Sequence, residues 1–128
     1  MGNPAHILVV DDEGAARMAL AELLREAGYV VDTASDGFKA LSRAEESRPD
    51  LILTDLCMPS MDGVELIRRL RRSDIGAPVV VMTGFSSVDA ALGAMREGAL
   101  DFVVKPLDAT RLFAVVSQAL ESAERGPE

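Results

Sequence analysis

Five residues with chemical potential stand directly behind apolar runs of this 128-residue chain. Asp11 and Asp12 follow "HILVV" (6–10), Asp55 follows "LILT" (51–54), Thr83 closes "VVVMT" (79–83) and Lys105 closes "DFVVK" (101–105). Three carboxylates brought to one crevice repel one another, and at 4 Å with an effective dielectric near 20 each pair costs roughly 4 kcal/mol. Protons or a cation must offset that cost. Hard oxygen donors with few other protein ligands suit magnesium, which keeps several waters and shares its shell with a phosphate. A carboxylate is also a nucleophile toward phosphorus and can form an aspartyl phosphate. Such a site needs a cation, a hydroxyl and a positive side chain around the transferring group. Thr83, with room left beside it by Gly84, and Lys105 are the candidates for the last two. Each residue alone has a plainer reading. "DDE" can simply cap a helix, Thr is a common strand residue and a strand-end Lys is ordinarily solvated. Acids, hydroxyl and ammonium at four strand ends together are far more specific.

The elements that must position these groups are legible in the periodicity. Five apolar runs, at 6–10, 29–34, 51–54, 79–83 and 101–105, alternate with five segments of helical spacing. The spacing i, i+3, i+4, i+7 occurs as Leu20-Leu23-Leu24-Ala27, Gly37-Ala40-Leu41-Ala44, Gly63-Leu66-Ile67-Leu70, Val88-Ala91-Leu92-Met95 and Leu112-Val115-Val116-Ala119. Ser86 with Asp89 has the form of a capping box, Asp108 that of an N-cap, and Gly28 and Gly98 stand where helices end. Such alternation with short connections implies an α/β fold: parallel strands, right-handed crossovers and helices on both faces. Runs one, three and four are almost wholly apolar, as central strands are. Runs two and five carry Asp32, Thr33, Asp101 and Lys105, which suits edges. The expected sheet is therefore doubly wound in the flavodoxin-like order 2-1-3-4-5, with its ligand crevice beyond the carboxyl ends of strands one and three. Asp11, Asp12 and Asp55 fall at that point.

Composition narrows the partners. With 13 basic and 21 acidic residues the formal charge is −8, which disfavours direct nucleic-acid binding, since phosphate contacts need clustered Lys and Arg. The one basic run, Arg68-Arg69-Arg71-Arg72, lies opposite Leu66, Ile67 and Leu70 and reads as a solvated helix face. A single cysteine, Cys57, forms no intramolecular disulfide, and with one histidine, His6, supplies no zinc donor set. A reducing cytoplasm is the expected setting. No apolar run approaches the ~18 residues of a membrane span, and "MGNPAH" has neither the basic nor the apolar part of a leader.

Residues 5 to 122 resemble the receiver domain of two-component response regulators, through "ILVVDDE", "LTDLCMPSMDG", "VVVMTG" and "GALDFVVKPLD" in order and spacing; 123–128 read as a tail or the start of a linker. The resemblance implies a phosphorylation-dependent switch that is not a conventional enzyme and catalyses only its own phosphotransfer and dephosphorylation. By that likeness Asp55 is the phosphoacceptor, and Asp11, Asp12, Asp55 and the backbone carbonyl of Cys57 hold Mg2+. Thr83 and Lys105 contact the phosphoryl oxygens, and Lys105-Pro106 is a cis peptide. The likeness also makes Thr83 and Phe102 the switch pair; where many members have Tyr, Phe102 lacks a hydroxyl, so its coupling must run through packing. Cys57 and Phe85 fall at the two positions that tune phosphoryl lifetime.

The same resemblance implies a sensor histidine kinase or phosphotransfer protein as donor, meeting the first helix (Arg17) and the loop after Lys105 (Leu107). Output is expected through the fourth helix, fifth strand and fifth helix, including Arg96, Asp101 and Arg111, with a homodimer possible on phosphorylation. The stretch "MTGFSSVDAALGAMREGALDFVVKPLD" is most like receivers of the nitrogen-regulation type, which usually precede an ATPase and a DNA-binding module. The chain is then either an excised N-terminal domain, favoured by "ERGPE", or a stand-alone receiver. Three other readings stay open. A haloacid-dehalogenase-type phosphatase would carry its nucleophile on the first strand in an Asp-x-Asp pattern, absent from "VVDDEG". A flavodoxin-like binder would set two carboxylates against a flavin phosphate. A receiver that takes no phosphate and only dimerises is the third.

Overall fold

A computed structural model describes residues 3–125, with side chains to 122. Five parallel strands, β1 (His6–Val10), β2 (Val30–Ala34), β3 (Leu51–Asp55), β4 (Val79–Thr83) and β5 (Asp101–Val104), form one sheet in the order β2-β1-β3-β4-β5. Helices α1 (Gly14–Glu26), α2 (Gly37–Ser47), α3 (Gly63–Arg72), α4 (Val88–Arg96) and α5 (Ala109–Arg125) connect and follow them. This is the flavodoxin-like architecture expected from the alternation, with runs two and five at the edges. The last three residues of the expected tail lie outside the described residues.

Strand periodicity divides the core in two. Leu8, Val10, Ile52, Val79 and Val81 face α2, α3 and α4, burying Ala40, Ala44, Leu66, Ile67, Leu70, Ala91 and Ala94. Their neighbours Ile7, Val9, Leu51, Leu53, Val80 and Met82 face α1 and α5, burying Leu20, Leu24, Leu112, Val115 and Val116. Because β1, β3 and β4 are covered on both faces, they need the continuous apolar runs seen in the sequence. Ile52 has no exposed surface and sits at the centre of the three-helix side. Ile52→Ala should cost about 2–5 kcal/mol of stability, read as a lower urea midpoint with an unchanged slope.

Helix ends follow local chemistry, with exceptions. Gly28 and Gly98 take the left-handed φ values of +102° and +114° that end α1 and α4. Asp108 caps α5 by accepting the Arg111 N–H at 3.2 Å. Asp36 and Asp62 do the same for α2 and α3. The Ser86–Asp89 capping box does not form. Residues Phe85–Ser87 make a 3-10 turn, closed by the Ser87 N–H on the Gly84 carbonyl at 3.0 Å, and α4 starts only at Val88. Two stripe positions also differ. Ala27 lies past the end of α1 and is exposed, whereas Ala21, outside the expected stripe, is buried. Leu92 is 46% exposed, because Ala91 and Ala94 make the contact and Leu92 lies about 100° round the helix from Ala91.

Candidate functional site

The parallel register brings the carboxyl ends of β1, β3 and β4 level, since Val10 pairs with Thr54 and Asp55 with Met82. Asp11 and Asp12 begin the connection from β1 to α1, and Asp55 ends β3. Their carboxylate oxygens come within 4.8 Å of one another. Asp11 is buried and its Oδ1 accepts the Glu13 N–H at 3.0 Å, while Asp12 is exposed. The Asp55 side chain retains 14% of its surface.

Lys105, just past β5, is held by its own N–H donating to the Thr83 carbonyl at 2.7 Å. Its Nζ lies 3.2 Å from Asp11 Oδ2 and 3.3 Å from Asp55 Oδ2, so one ammonium bridges two acids. Burial pushes the Asp55 carboxyl above the usual range of 3.8; Lys105 opposes that rise, Asp11 adds to it, and the Cys57 backbone amide lowers it slightly. Burial alone would lower the Lys105 pKa, but attraction to Asp55 and Asp11 outweighs it and the net shift is upward. The ammonium is therefore the internal counter-ion of the acid cluster.

Thr83 is buried at the end of β4, and its hydroxyl donates to the Gly84 carbonyl at 3.3 Å. The structure thus gathers Asp11, Asp12, Asp55 and Lys105, and turns the Thr83 hydroxyl to its own chain. The Lys105–Pro106 peptide is cis. Cys57 is exposed with Sγ 3.8 Å from Ser87 Oγ, and Phe85 is 80% exposed. Phe102, level with Val81, is half-buried against the core on the α4 side.

Surface expectations are adjusted in two places. Arg17 is not a free exposed side chain: its guanidinium reaches back to donate to the Asp11 carbonyl at 2.9 Å, satisfying the backbone where β1 ends. Arg71 also turns inward, donating to the carbonyls of Ile75 and Ala77 at 2.7 and 3.0 Å. Arg68, Arg69 and Arg72 stay at the surface, paired with Glu65 and Glu97. Beside the acid cluster an apolar groove of about 320 Å³ runs between α1 and the loop after β5, lined by Ala16, Ala19, Leu20, Leu23, Pro106 and Leu107. The amide of Glu13 and the reach of Arg17 escape a reading of strand ends; the only sequence signal for them is the third acid of "DDE" and a basic residue one helical turn later.

The family model described as "Response regulator receiver domain" matches residues 7–117. The transcriptional regulatory protein ZraR of Klebsiella oxytoca is 42% identical over 93% of this chain and 27% of its own length. The regulatory protein AtoC of Escherichia coli is 36% identical over 90% of this chain and 25% of its own length. Among solved structures, NtrX from Brucella abortus superposes with a TM-score of 0.89 at 35% identity, covering 94% of this chain and 28% of NtrX. The chain thus spans about a quarter of the length of these relatives.

Proposed function

This chain belongs to the response regulator receiver domain family, a signalling domain with transcriptional regulators among its relatives, and on that premise we propose that Asp55 accepts a phosphoryl group with Mg2+. The observation that carries this reading is the Lys105 ammonium bridging Asp11 and Asp55 within a three-carboxylate cluster. The donor set fits a hard divalent cation: only carboxylate oxygens, one of them exposed so that water can complete the shell. Asp11, Asp12 and Asp55, with the Cys57 carbonyl, would hold Mg2+, which when bound neutralises charge on the transferring phosphoryl group.

The step is a displacement at phosphorus. An Asp55 carboxylate oxygen forms the new P–O bond, the P–N bond to the donor imidazole breaks, and the departing nitrogen takes a proton. Lys105 then moves from pairing with Asp55 to pairing with a phosphoryl oxygen. Thr83 exchanges its bond to the Gly84 carbonyl for one to the phosphoryl group, and Phe102 repacks into the space near β4 that this frees. The α4–β5–α5 face, with Arg96, Asp101 and Arg111, carries the change to an output module or to a second copy of the chain. The same groups assist loss of the phosphoryl group, so the domain's chemistry is confined to itself.

Receiver domains partner with histidine kinases, and the groove between α1 and Leu107 opens beside Asp11 and Lys105 where a histidine-bearing helix could enter. An ATPase and DNA-binding module is the output if the chain continues. The domain itself is taken to run from 5 to 122 and not to touch nucleic acid. Among the described residues no helix is long and apolar enough to cross a membrane, consistent with the cytoplasmic placement proposed here. The test is incubation with a small acyl-phosphate donor and Mg2+. One acid-labile group per chain is expected, and turnover of many phosphoesters per chain would overturn the reading.

Phosphoryl lifetime gives a separate expectation. Exposed Phe85 and the Cys57 thiol offer no acid or amide to orient an attacking water. The isolated phosphorylated domain should therefore decay over minutes or longer in Mg2+, followed by loss of the acid-labile group. Decay within seconds would show that another group positions the water.

A further inference from the structure

The loop from Asp55 to α3 is pinned by backbone only at its ends. Leu56 donates to the Met82 carbonyl at 2.9 Å, and Gly63 donates back to the Leu56 carbonyl at 2.8 Å. Between them Ser60 adopts a φ of 72°, and the Met61 N–H closes locally on the Pro59 carbonyl at 2.7 Å. Among the described residues no backbone hydrogen bond ties 57–61 to a neighbouring element. Beyond the contacts of Cys57 with Asp55 and Ser87, what anchors this stretch is two buried side chains, Met58 and Met61.

Met61 is seated against Gly37, the first residue of α2. A Cβ on Gly37 would stand 2.5 Å from Met61 Sδ and 3.0 Å from both Met61 Cγ and Cβ. The sulfur could swing aside, but Met61 Cβ is fixed by the loop backbone, so the loop itself would have to move. Gly37 does not occupy the left-handed region that would call for glycine, and glycine is a poor helix former. The space it leaves is what accounts for it.

We propose that Gly37 is a positioning residue for phosphoryl transfer. By admitting Met61 it holds the 57–61 loop, and with it the Cys57 backbone, in place beside Asp55. The proposal rests on the phosphoacceptor reading above. Contact between two short segments 24 positions apart is added to the loop's own hydrogen bonds in setting the geometry of the site.

The experiment is a double-mutant cycle on the whole chain: Gly37→Ala, Met61→Ala, both together, and Gly93→Ala as a control whose added Cβ meets nothing within 4 Å. Phosphoryl uptake from acetyl phosphate and Mg2+ affinity by calorimetry without donor are measured for each. Gly37→Ala should slow uptake by about 3- to 10-fold, since Met61 Cβ and the loop that carries it need shift by only a few tenths of an ångström. It should also weaken Mg2+ binding and displace the amide resonances of 57–61, which a purely helical effect would not do. Met61→Ala should act in the same direction. The double variant should be no worse than the slower single, because both changes break one contact.

Parent-like uptake and Mg2+ affinity in Gly37→Ala overturn the proposal, as do multiplying effects in the double variant or equal slowing in Gly93→Ala. If Gly37→Ala fails to fold, Met61→Ala decides, and parent-like behaviour there overturns it. Asp55→Asn is run in parallel. Uptake by that variant overturns the acceptor reading, whereas its inertness beside a fully reactive Gly37→Ala overturns only the role of Gly37.

Discussion

Asp55→Asn should take up no acid-labile phosphoryl group, its rate falling by about 1,000-fold or more because the oxygen proposed as nucleophile is replaced by an amide. The fold, in contrast, gains. Removing the Asp55 charge relieves its repulsion by Asp11 but also forfeits the attraction and hydrogen bond of Lys105, which partly offset each other. Burial is the largest influence on Asp55, and the net shift of its carboxyl is upward. At neutral pH and without divalent cation, Asp55→Asn should unfold at a higher urea concentration than the parent. The pH dependence has a definite sign. The folded carboxyl has a pKa raised above 3.8, so folding favours its protonated form. The parent loses that contribution as pH rises from 3.8 through the raised value. The advantage of the Asn variant therefore grows across that window and vanishes below it. Urea titrations at several pH values, run alongside a phosphorylation assay, check both halves. A variant less stable than the parent at neutral pH would mean that the Lys105 pairing outweighs burial.

Lys105→Met separates the two roles of the ammonium. Methionine keeps most of the stem and removes the charge that bridges Asp11 and Asp55. Without divalent cation the two acids lose their counter-ion, and stability should fall by about 1–3 kcal/mol, below the cost of breaking a fully buried pair because Lys105 is partly exposed. Its folded pKa is raised above 10.5, so on the alkaline side this contribution holds up to 10.5 and disappears as pH climbs through the raised value, while on the acid side it lasts only as long as Asp11 and Asp55 stay ionised. Mg2+ should restore the loss and bind about tenfold more tightly than to the parent, since a competing positive charge has left the same oxygens. Phosphoryl uptake should slow by about 10- to 100-fold for want of a positive group on the phosphoryl oxygens. Calorimetric titration with Mg2+ is the decisive measurement. Unchanged or weaker binding in Lys105→Met would show that the ammonium and the cation do not compete.

Periodicity alone determined most of the architecture. Apolar runs that must be covered on both faces read as central strands, the polar residues Asp32 and Asp101 mark the edges, and one crossover rule then orders the sheet. Strand ends follow from the same pattern, so the positions of Asp11, Asp55, Thr83 and Lys105 at one rim were legible before any coordinates. These are local properties: a side chain's face is fixed by its count along the strand or helix, and that count is written in the chain. Tertiary structure decided which groups touch. The bond from Lys105 to Asp11 spans 94 residues, Arg17 turns back to a carbonyl, the Thr83 hydroxyl faces Gly84, and Met61 depends on the missing side chain of Gly37. The 3-10 turn that displaces the expected cap at Ser86, and the rotation that leaves Leu92 outside, belong to the same class. Each depends on the distance between elements and on the rotamer that packing leaves open, quantities that no spacing along the chain specifies.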